Sequence, residues 1–256
     1  HQLGGDAHGV ERMSDLDPNG LAVEYLLATR AGGDGVEGLA GQLAALPEGT
    51  LRQGLADDVA RKAFWLDIYN AEVVRAGIVD LKDRLTRFRH FRRASVTIAG
   101  RRLSLDAIEN GILRRSQSRL GLGYLPNPVP GSFERAHRVD RVDPRIHFAL
   151  NCGATSCPPI AAYDPARLDE QLELATRSYL STEVEVEVDV VRVPAVLLWY
   201  IGDFGGPAGV RRLLRHVGLD ETGRRLRFRA WDWTPAPDHW KGDADRPEQP
   251  PRSTDS

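Results

Sequence analysis

The sequence contains little cysteine, and this scarcity excludes one class of protein. Only two cysteines occur among 256 residues, whereas small secreted domains that depend on disulfides are rich in cysteine. A chain of this length buries about 70–75% of its unfolded surface, so its core does not require such cross-links. We therefore expect a globular protein that is held together mainly by hydrophobic packing.

Three further absences narrow the range of functions. No apolar run reaches the ~18 residues that a membrane-spanning helix needs. The net charge of −2 provides no overall basic field for nucleic acid. Glycine-rich nucleotide-binding motifs and the HExxH zinc motif are also missing from the sequence. We expect no nucleic acid or membrane partner and no cofactor.

Both ends of the chain are predicted to lie outside the folded domain. Residues 1–16 are interpreted as an N-terminal extension, natural or vector-derived, with Met13 as the native start. The alternative is a mature chain from which an export signal has been removed. The polar composition of residues 241–256 predicts a disordered tail. We therefore expect a single domain that spans 17–240. Without an export signal, we expect a cytoplasmic protein with reduced thiols.

Hydrophobic periodicity predicts a mixture of helices and strands. The strongest helix, 56–78, carries so wide an apolar stripe that it should be largely buried. Further helices are expected at 21–30, 36–46, 105–116, 165–180 and 206–218, a hairpin at 95–105, and strands within 184–193 and at 225–231. Because these elements do not alternate as βαβ units, we predict one α+β domain. Its helices would pack around a small, mainly antiparallel sheet, with a papain- or transglutaminase-like arrangement as one option.

The candidate site begins at "RIHFAL" (145–150), which has the period-two pattern of a strand. In a strand, Arg145, His147 and Asn151 share one face. The segment "NCGATSCPP" (151–159) follows and contains both cysteines, Cys152 and Cys157. We expect the last strand of the chain to pair with 145–150. The Gly- and Pro-rich segment 117–143 predicts a long loop of the kind that is often functional.

Several phrases resemble one family, the domain of unknown function 547. They are "KAFWLDIYNA" (62–71), "LSLDAIENGILR" (103–114), "DPRIHFALNCGATSCPPI" (143–160), "LDEQLELATRSYL" (168–180), "WYIGDF" (199–204) and "WDW" (231–233). The resemblance covers roughly 60–240 and implies no settled activity. This chain has Asp67 where relatives often carry Asn. It has Asn110 where relatives often carry His. If that His were catalytic in the family, the activity of this protein would be impaired.

One hypothesis is a thiol enzyme that hydrolyses or transfers an acyl or amide group, with a peptide or amide as substrate. A cysteine nucleophile needs a base that generates its thiolate. His147 is the candidate base. Cys157 is the preferred nucleophile, because a loop that turns at Gly153 can return it to the imidazole more easily than Cys152.

A thiol enzyme also needs a group that orients the imidazole of its base. Glu109, Asp67 and Asn151 are the candidates for this role. Asn70 lies on the same helix face as Asp67, three residues further on, and both are candidate binding residues. Arg145 and Asn151 are also candidate binding residues, because they share a strand face with His147.

Two alternatives remain open beside the thiol enzyme. His147, Cys152 and Cys157 could bind a metal ion with Glu109 as a fourth ligand, although zinc usually takes cysteines at closer spacing. Alternatively, the chain is a non-catalytic binding domain. Its cysteines would then be buried thiols or would form a local disulfide. In that case His147 is a core residue, and the loop 117–143 serves a protein partner.

Overall fold

The structure is a computed structural model that describes residues 17–219 and 222–237. The predicted extension at 1–16 and the predicted tail at 241–256 lie outside the described residues. In the part of the chain that is described, each helix is too short or too polar to cross a bilayer.

Helices form most of the regular structure. The α-helices are α1 (Pro18–Ala31), α2 (Val36–Ala45), α3 (Glu48–Gly54), α4 (Asp58–Ala76), α5 (Arg84–Arg92), α6 (Ser132–His137), α7 (Leu168–Glu183), α8 (Val196–Trp199) and α9 (Gly206–His216). A π-helix covers Ala107–Leu113, and 3₁₀ helices cover Pro144–Phe148 and Pro165–Arg167. The helices predicted from periodicity are present within a few residues. Every residue of α4 from Ala63 to Val73 is buried, as its wide apolar stripe predicted.

Within the described residues, five short strands form two small sheets. β1 (Ala94–Ile98) and β2 (Arg101–Ser104) make the predicted antiparallel hairpin. β3 (Glu185–Val186) and β4 (Val190–Val193) are also antiparallel, whereas β5 (Arg225–Phe228) pairs with β4 in parallel. The predicted α+β class is therefore confirmed. The expected pairing of the last strand with 145–150 is wrong, since β4 is the partner of β5.

Residues 145–150 do not form the predicted strand. The Asp143 side chain accepts a hydrogen bond from the backbone N–H of Arg145 at 3.1 Å, and Pro144 occupies the first helical position. An acidic N-cap followed by proline favours a helical turn, because proline fixes φ near its helical value and needs no N–H partner there. The segment therefore turns as a 3₁₀ helix through Phe148.

This 3₁₀ helix joins two hydrophobic clusters. The first cluster is built mainly from α1, α4, the β1–β2 hairpin and the π-helix, and it includes Ile146. The second is built from α7, β4, α8 and α9, and it includes Phe148. His147 follows Ile146 and precedes Phe148, so the chain places it at the junction of the two clusters.

Candidate functional site

A cleft of about 590 Å³ opens at this junction. Its lining includes four of the predicted site residues, namely Glu109, His147, Cys152 and Cys157. Clefts of this size are typical of small-molecule sites. The structure therefore brings together the residues that the thiol hypothesis combines.

The two cysteines are bonded to each other. Cys152 and Cys157 form a disulfide across a sequence separation of five, with their Cα atoms 6.1 Å apart. The local disulfide, which the sequence left as one alternative, is thus present. While it is intact, neither sulfur is a thiolate that could attack a substrate or bind a metal ion. Among residues 17–219 and 222–237, no group of three His, Cys, Asp or Glu side chains is placed to hold a metal ion.

Two buried asparagines shape the cysteine loop, residues 152–157. The Asn70 side chain donates to the carbonyl of Ala149 at 3.0 Å and accepts from the backbone N–H of Asn151 at 3.0 Å. Asn151 in turn donates to the carbonyl of Pro158 and accepts from the N–H of Gly153. Gly153 has φ of +83°, a conformation that favours glycine. These bonds fix where the loop leaves the 3₁₀ helix.

The cysteine loop also holds a segment from the end of the domain. The N–H of Thr155 donates to the carbonyl of Thr234 at 2.8 Å, and the N–H of Asp232 donates to the Ser156 hydroxyl at 2.9 Å. The N–H of Ala236 donates to the carbonyl of Gly153 at 3.0 Å. Through these bonds the loop anchors the segment 231–236, which carries Trp231 and Trp233 into the cleft lining.

His147 is a buried residue that is already engaged by other side chains. Its Nε2 lies 2.9 Å from Oδ2 of Asp203, and its ring stacks on Tyr200 with centroids 3.8 Å apart. Burial lowers the pKa of His147 below its ordinary value, even though the hydrogen bond with Asp203 opposes this effect. The imidazole is therefore neutral near pH 7, and its Nε2–H donates to Asp203.

Asp203 is the group that orients His147. Arg114 donates to both oxygens of its carboxylate, from Nε at 2.6 Å and from Nη2 at 3.1 Å. Burial alone raises the pKa of Asp203, but the hydrogen bonds from His147 and Arg114 outweigh it and hold the pKa below its ordinary value. Asp203 is thus an ionised carboxylate that lies between two donors.

The loop 117–143 positions the turn that carries Asp203. The N–H of Gly202 donates to the carbonyl of Leu122 at 2.7 Å. A Cβ atom at Gly202 would lie only 2.4 Å from the backbone carbon of Gly123, so the two chain segments approach as closely as glycine permits. The structure interrupts the predicted loop with α6 (Ser132–His137), and the part before this helix, which contains Leu122 and Gly123, takes part in building the site.

Glu109 binds the aromatic residue on which His147 stacks. It accepts hydrogen bonds from the hydroxyl of Tyr200 at 2.5 Å and from that of Tyr69 at 3.4 Å. Glu109 lies in the π-helix, a rare element that is frequent at functional sites. It acts on His147 through Tyr200.

The four predicted binding residues lie outside the cleft lining. Asn70 and Asn151 hold the cysteine loop, as described above. Arg145 forms ion pairs with Asp143 at 2.9 Å and Asp169 at 2.8 Å. Their role in binding a ligand stays a prediction.

Asp67, the fourth of these residues, accepts from the N–H of Tyr163 at 3.0 Å through Oδ1. Its Oδ2 has no hydrogen-bond partner in the described structure. Burial raises its pKa well above the ordinary value. The binding role predicted for it is likewise untested.

Sequence reasoning missed Asp203, Arg114, Tyr200 and Tyr69. A signal for them was present, because all four fall inside the family phrases: Tyr69 in "KAFWLDIYNA", Arg114 in "LSLDAIENGILR", and Tyr200 and Asp203 in "WYIGDF". Treating the polar and aromatic positions of these phrases as one set would have identified them.

The family described as "protein of unknown function, DUF547" matches residues 53–180, half of the chain. This chain belongs to the DUF547 family. The matched DUF547 segment contains Glu109, Arg114, His147 and both cysteines, whereas Tyr200 and Asp203 lie beyond its end. No curated protein and no solved structure matches this DUF547 protein. The papain- or transglutaminase-like arrangement is therefore unsupported.

Proposed function

We propose that this DUF547 protein is a non-catalytic binding domain in which the Cys152–Cys157 disulfide has a structural role. The observation that carries the proposal is the set of hydrogen bonds between the disulfide-closed loop and residues 232–236. A closed loop restricts the chain that anchors Trp231 and Trp233 beside the cleft. The cysteines thereby shape a binding surface without performing chemistry.

A cysteine-dependent hydrolase or transferase is the competing function. One observation favours it, namely that Glu109, His147 and both cysteines line the same cleft. This function requires a reductant to cleave the disulfide first, because the thiolate is the nucleophile. It also requires a base, and because the Nε2–H of His147 donates to Asp203, only Nδ1 of this imidazole could accept the proton of a thiol.

The disulfide also bears on where the protein works. Disulfides persist in oxidising compartments and are rare in the cytosol. The structural role therefore agrees better with an exported mature chain than with the cytoplasmic location expected from the sequence.

Reduction and alkylation test the two functions directly. The protein is incubated with and without dithiothreitol, alkylated with iodoacetamide and weighed by mass spectrometry. Hydrolysis of p-nitrophenyl acetate is measured on the same samples. We expect no adduct at either cysteine before reduction and no hydrolysis above that of the Cys152→Ser/Cys157→Ser variant after reduction. The same variant should lose about 2 kcal/mol of unfolding free energy, the value for so short a loop.

The single variants distinguish the thiol enzyme from the binding domain more sharply. If reduction produces ester hydrolysis that Cys157→Ser abolishes and Cys152→Ser retains, the protein is a thiol enzyme and the structural proposal is wrong. Unfolding in urea provides the stability measurement, because its midpoint shifts with the free energy of unfolding when the slope is unchanged.

A further inference from the structure

Three indole rings form one side of the cleft. Trp199 lies 5.0 Å from Trp231 and 5.7 Å from Trp233 between ring centroids, and the latter pair is stacked with an interplanar angle of 19°. All three residues are only partly buried and line the cleft. This tryptophan cluster (Trp199, Trp231, Trp233) therefore offers flat apolar surface to a ligand.

Helix α5 brings positive charge to the same cleft. Arg84, Arg87 and Arg92 belong to this helix and line the cleft. Arg87 connects the helix with the tryptophan cluster, because its Cζ lies 4.0 Å from the centroid of the Trp233 ring. Such a contact between a guanidinium and an indole is a cation–π interaction.

The described protein compensates the charge of these three arginines only in part, through the Asp83 carboxylate at the start of α5, which acts on Arg87. No carboxylate among residues 17–219 and 222–237 forms an ion pair with any of them. Burial and the nearby charge of Arg84 together hold the pKa of Arg87 below its ordinary value. Positive charge that is only partly compensated, beside an apolar surface, favours an anion as the ligand.

The acidic residues of the lining already have donors. Asp106 forms an ion pair with Arg119 at 3.4 Å and accepts from Asn110 at 3.2 Å. Glu109 accepts from the hydroxyls of Tyr200 and Tyr69. The carboxylates of the cleft therefore have donors of their own and form no ion pair with the arginines of α5, of which Arg87 donates to the carbonyls of Leu81 and Lys82.

We infer, on the basis of the binding function proposed above, that the ligand is a small anionic molecule with a flat apolar group. Its anionic group binds Arg84, Arg87 and Arg92, and its flat group packs on the tryptophan cluster. The cleft volume of about 590 Å³ suits a molecule of this size.

A matched pair of fluorescent probes tests this inference. Anilinonaphthalene sulfonate carries an anionic group on a flat ring system, and N-phenylnaphthylamine presents a similar ring system without charge. We expect Arg84→Gln/Arg92→Gln to weaken binding of the sulfonate about fivefold and to leave the neutral probe unchanged. Trp199→Leu should weaken the binding of both probes, because the ring systems of both pack on the apolar surface.

Arg89→Gln/Arg93→Gln is the matched control. These arginines lie in the same segment but outside the cleft lining, and the control removes the same net charge. The inference is wrong if the sulfonate does not bind to the parent protein, or if the control weakens it as much as the cleft variant does. If the cleft variant also stops binding the neutral probe, a salt titration of the parent protein shows whether charge contributes to binding. Added NaCl should then weaken binding of the sulfonate and leave binding of the neutral probe unchanged.

The probe experiment and the reduction and hydrolysis experiment test different claims. Absence of sulfonate binding to the protein with its disulfide intact contradicts only the ligand class. Thiol-dependent ester hydrolysis contradicts the binding function, whichever probe binds.

Discussion

Two buried aspartates in this protein have opposite electrostatic surroundings. Asp67 is 1% exposed, and the Asp203 side chain is also 1% exposed. Asp67 has one hydrogen-bond donor, the N–H of Tyr163, and burial raises its pKa. Asp203 accepts from Arg114 and His147, and these bonds lower its pKa despite the burial. Two buried carboxyl groups thus have a raised pKa in one region and a lowered pKa in the other.

This difference shows that the partners of a buried acid decide its charge. Asp67 lies on the long central helix among apolar side chains, where burial favours its uncharged form. Asp203 lies on a turn at the edge of the cleft, where the chain brings two donors to it. Only the second arrangement places a full negative charge beside the candidate site.

Removing the charge of Asp203 should have the largest effect on stability. In Asp203→Asn, Arg114 remains buried without a counter-charge, and we expect a loss of about 3–5 kcal/mol of unfolding free energy. Urea denaturation measures this loss. Replacing both partners, as in Asp203→Leu/Arg114→Met, should recover part of it, because no unpaired buried charge remains. A cost below about 1 kcal/mol for Asp203→Asn would show that the pair is not buried in solution.

The pH dependence of this loss has a definite sign. Because the folded protein lowers the pKa of Asp203, the ion pair contributes stability above the ordinary carboxyl pKa and loses it as the pH falls. The difference between the parent and Asp203→Asn should therefore decrease in acid.

Asp67→Asn should have the opposite effect on the pH profile. Because the folded protein raises the pKa of Asp67, the parent loses stability as the pH rises from about 4, the ordinary carboxyl value, towards the folded pKa. The variant cannot ionise, so its advantage should grow by up to about 1.4 kcal/mol per pH unit in that window. Urea denaturation between pH 4 and pH 8 measures it. An unchanged difference across this range would contradict the raised pKa.

The same two residues show how far sequence reasoning reached. Asp67 lies inside a strongly periodic helix, so its burial and its helical neighbours could be predicted from the sequence. Asp203 is 89 residues from Arg114 and 56 from His147 along the chain. No local pattern predicts which distant carboxylate a histidine meets, so the prediction of Glu109, Asp67 or Asn151 in the orienting role was wrong, because Asp203 holds the ring.

Two Asp-Pro pairs show how helix caps compare with periodicity as local signals. The helix predicted from residue 165 is preceded by Asp164, whose side chain accepts from the N–H of Ala166 and caps the helical turn that begins at Pro165. Asp143-Pro144 carries the same N-cap and proline, but the strand predicted for 145–150 rests on its alternating pattern alone. The structure shows a 3₁₀ helix there. For so short a segment, cap chemistry is the stronger indicator, because a few residues cannot separate a period of two from a helical turn.

The smallest expected effect comes from an ion pair at the surface. Arg167 and Glu170 lie 3.4 Å apart, with 63% and 72% of their side chains exposed. Water screens both charges, so Arg167→Ala should change the unfolding free energy by less than about 1 kcal/mol. Measured beside Asp203→Asn, this variant separates the effect of burial from that of charge pairing itself. If the two variants cost the same, burial does not strengthen the Asp203 pair, and the contrast between the two aspartates needs another cause.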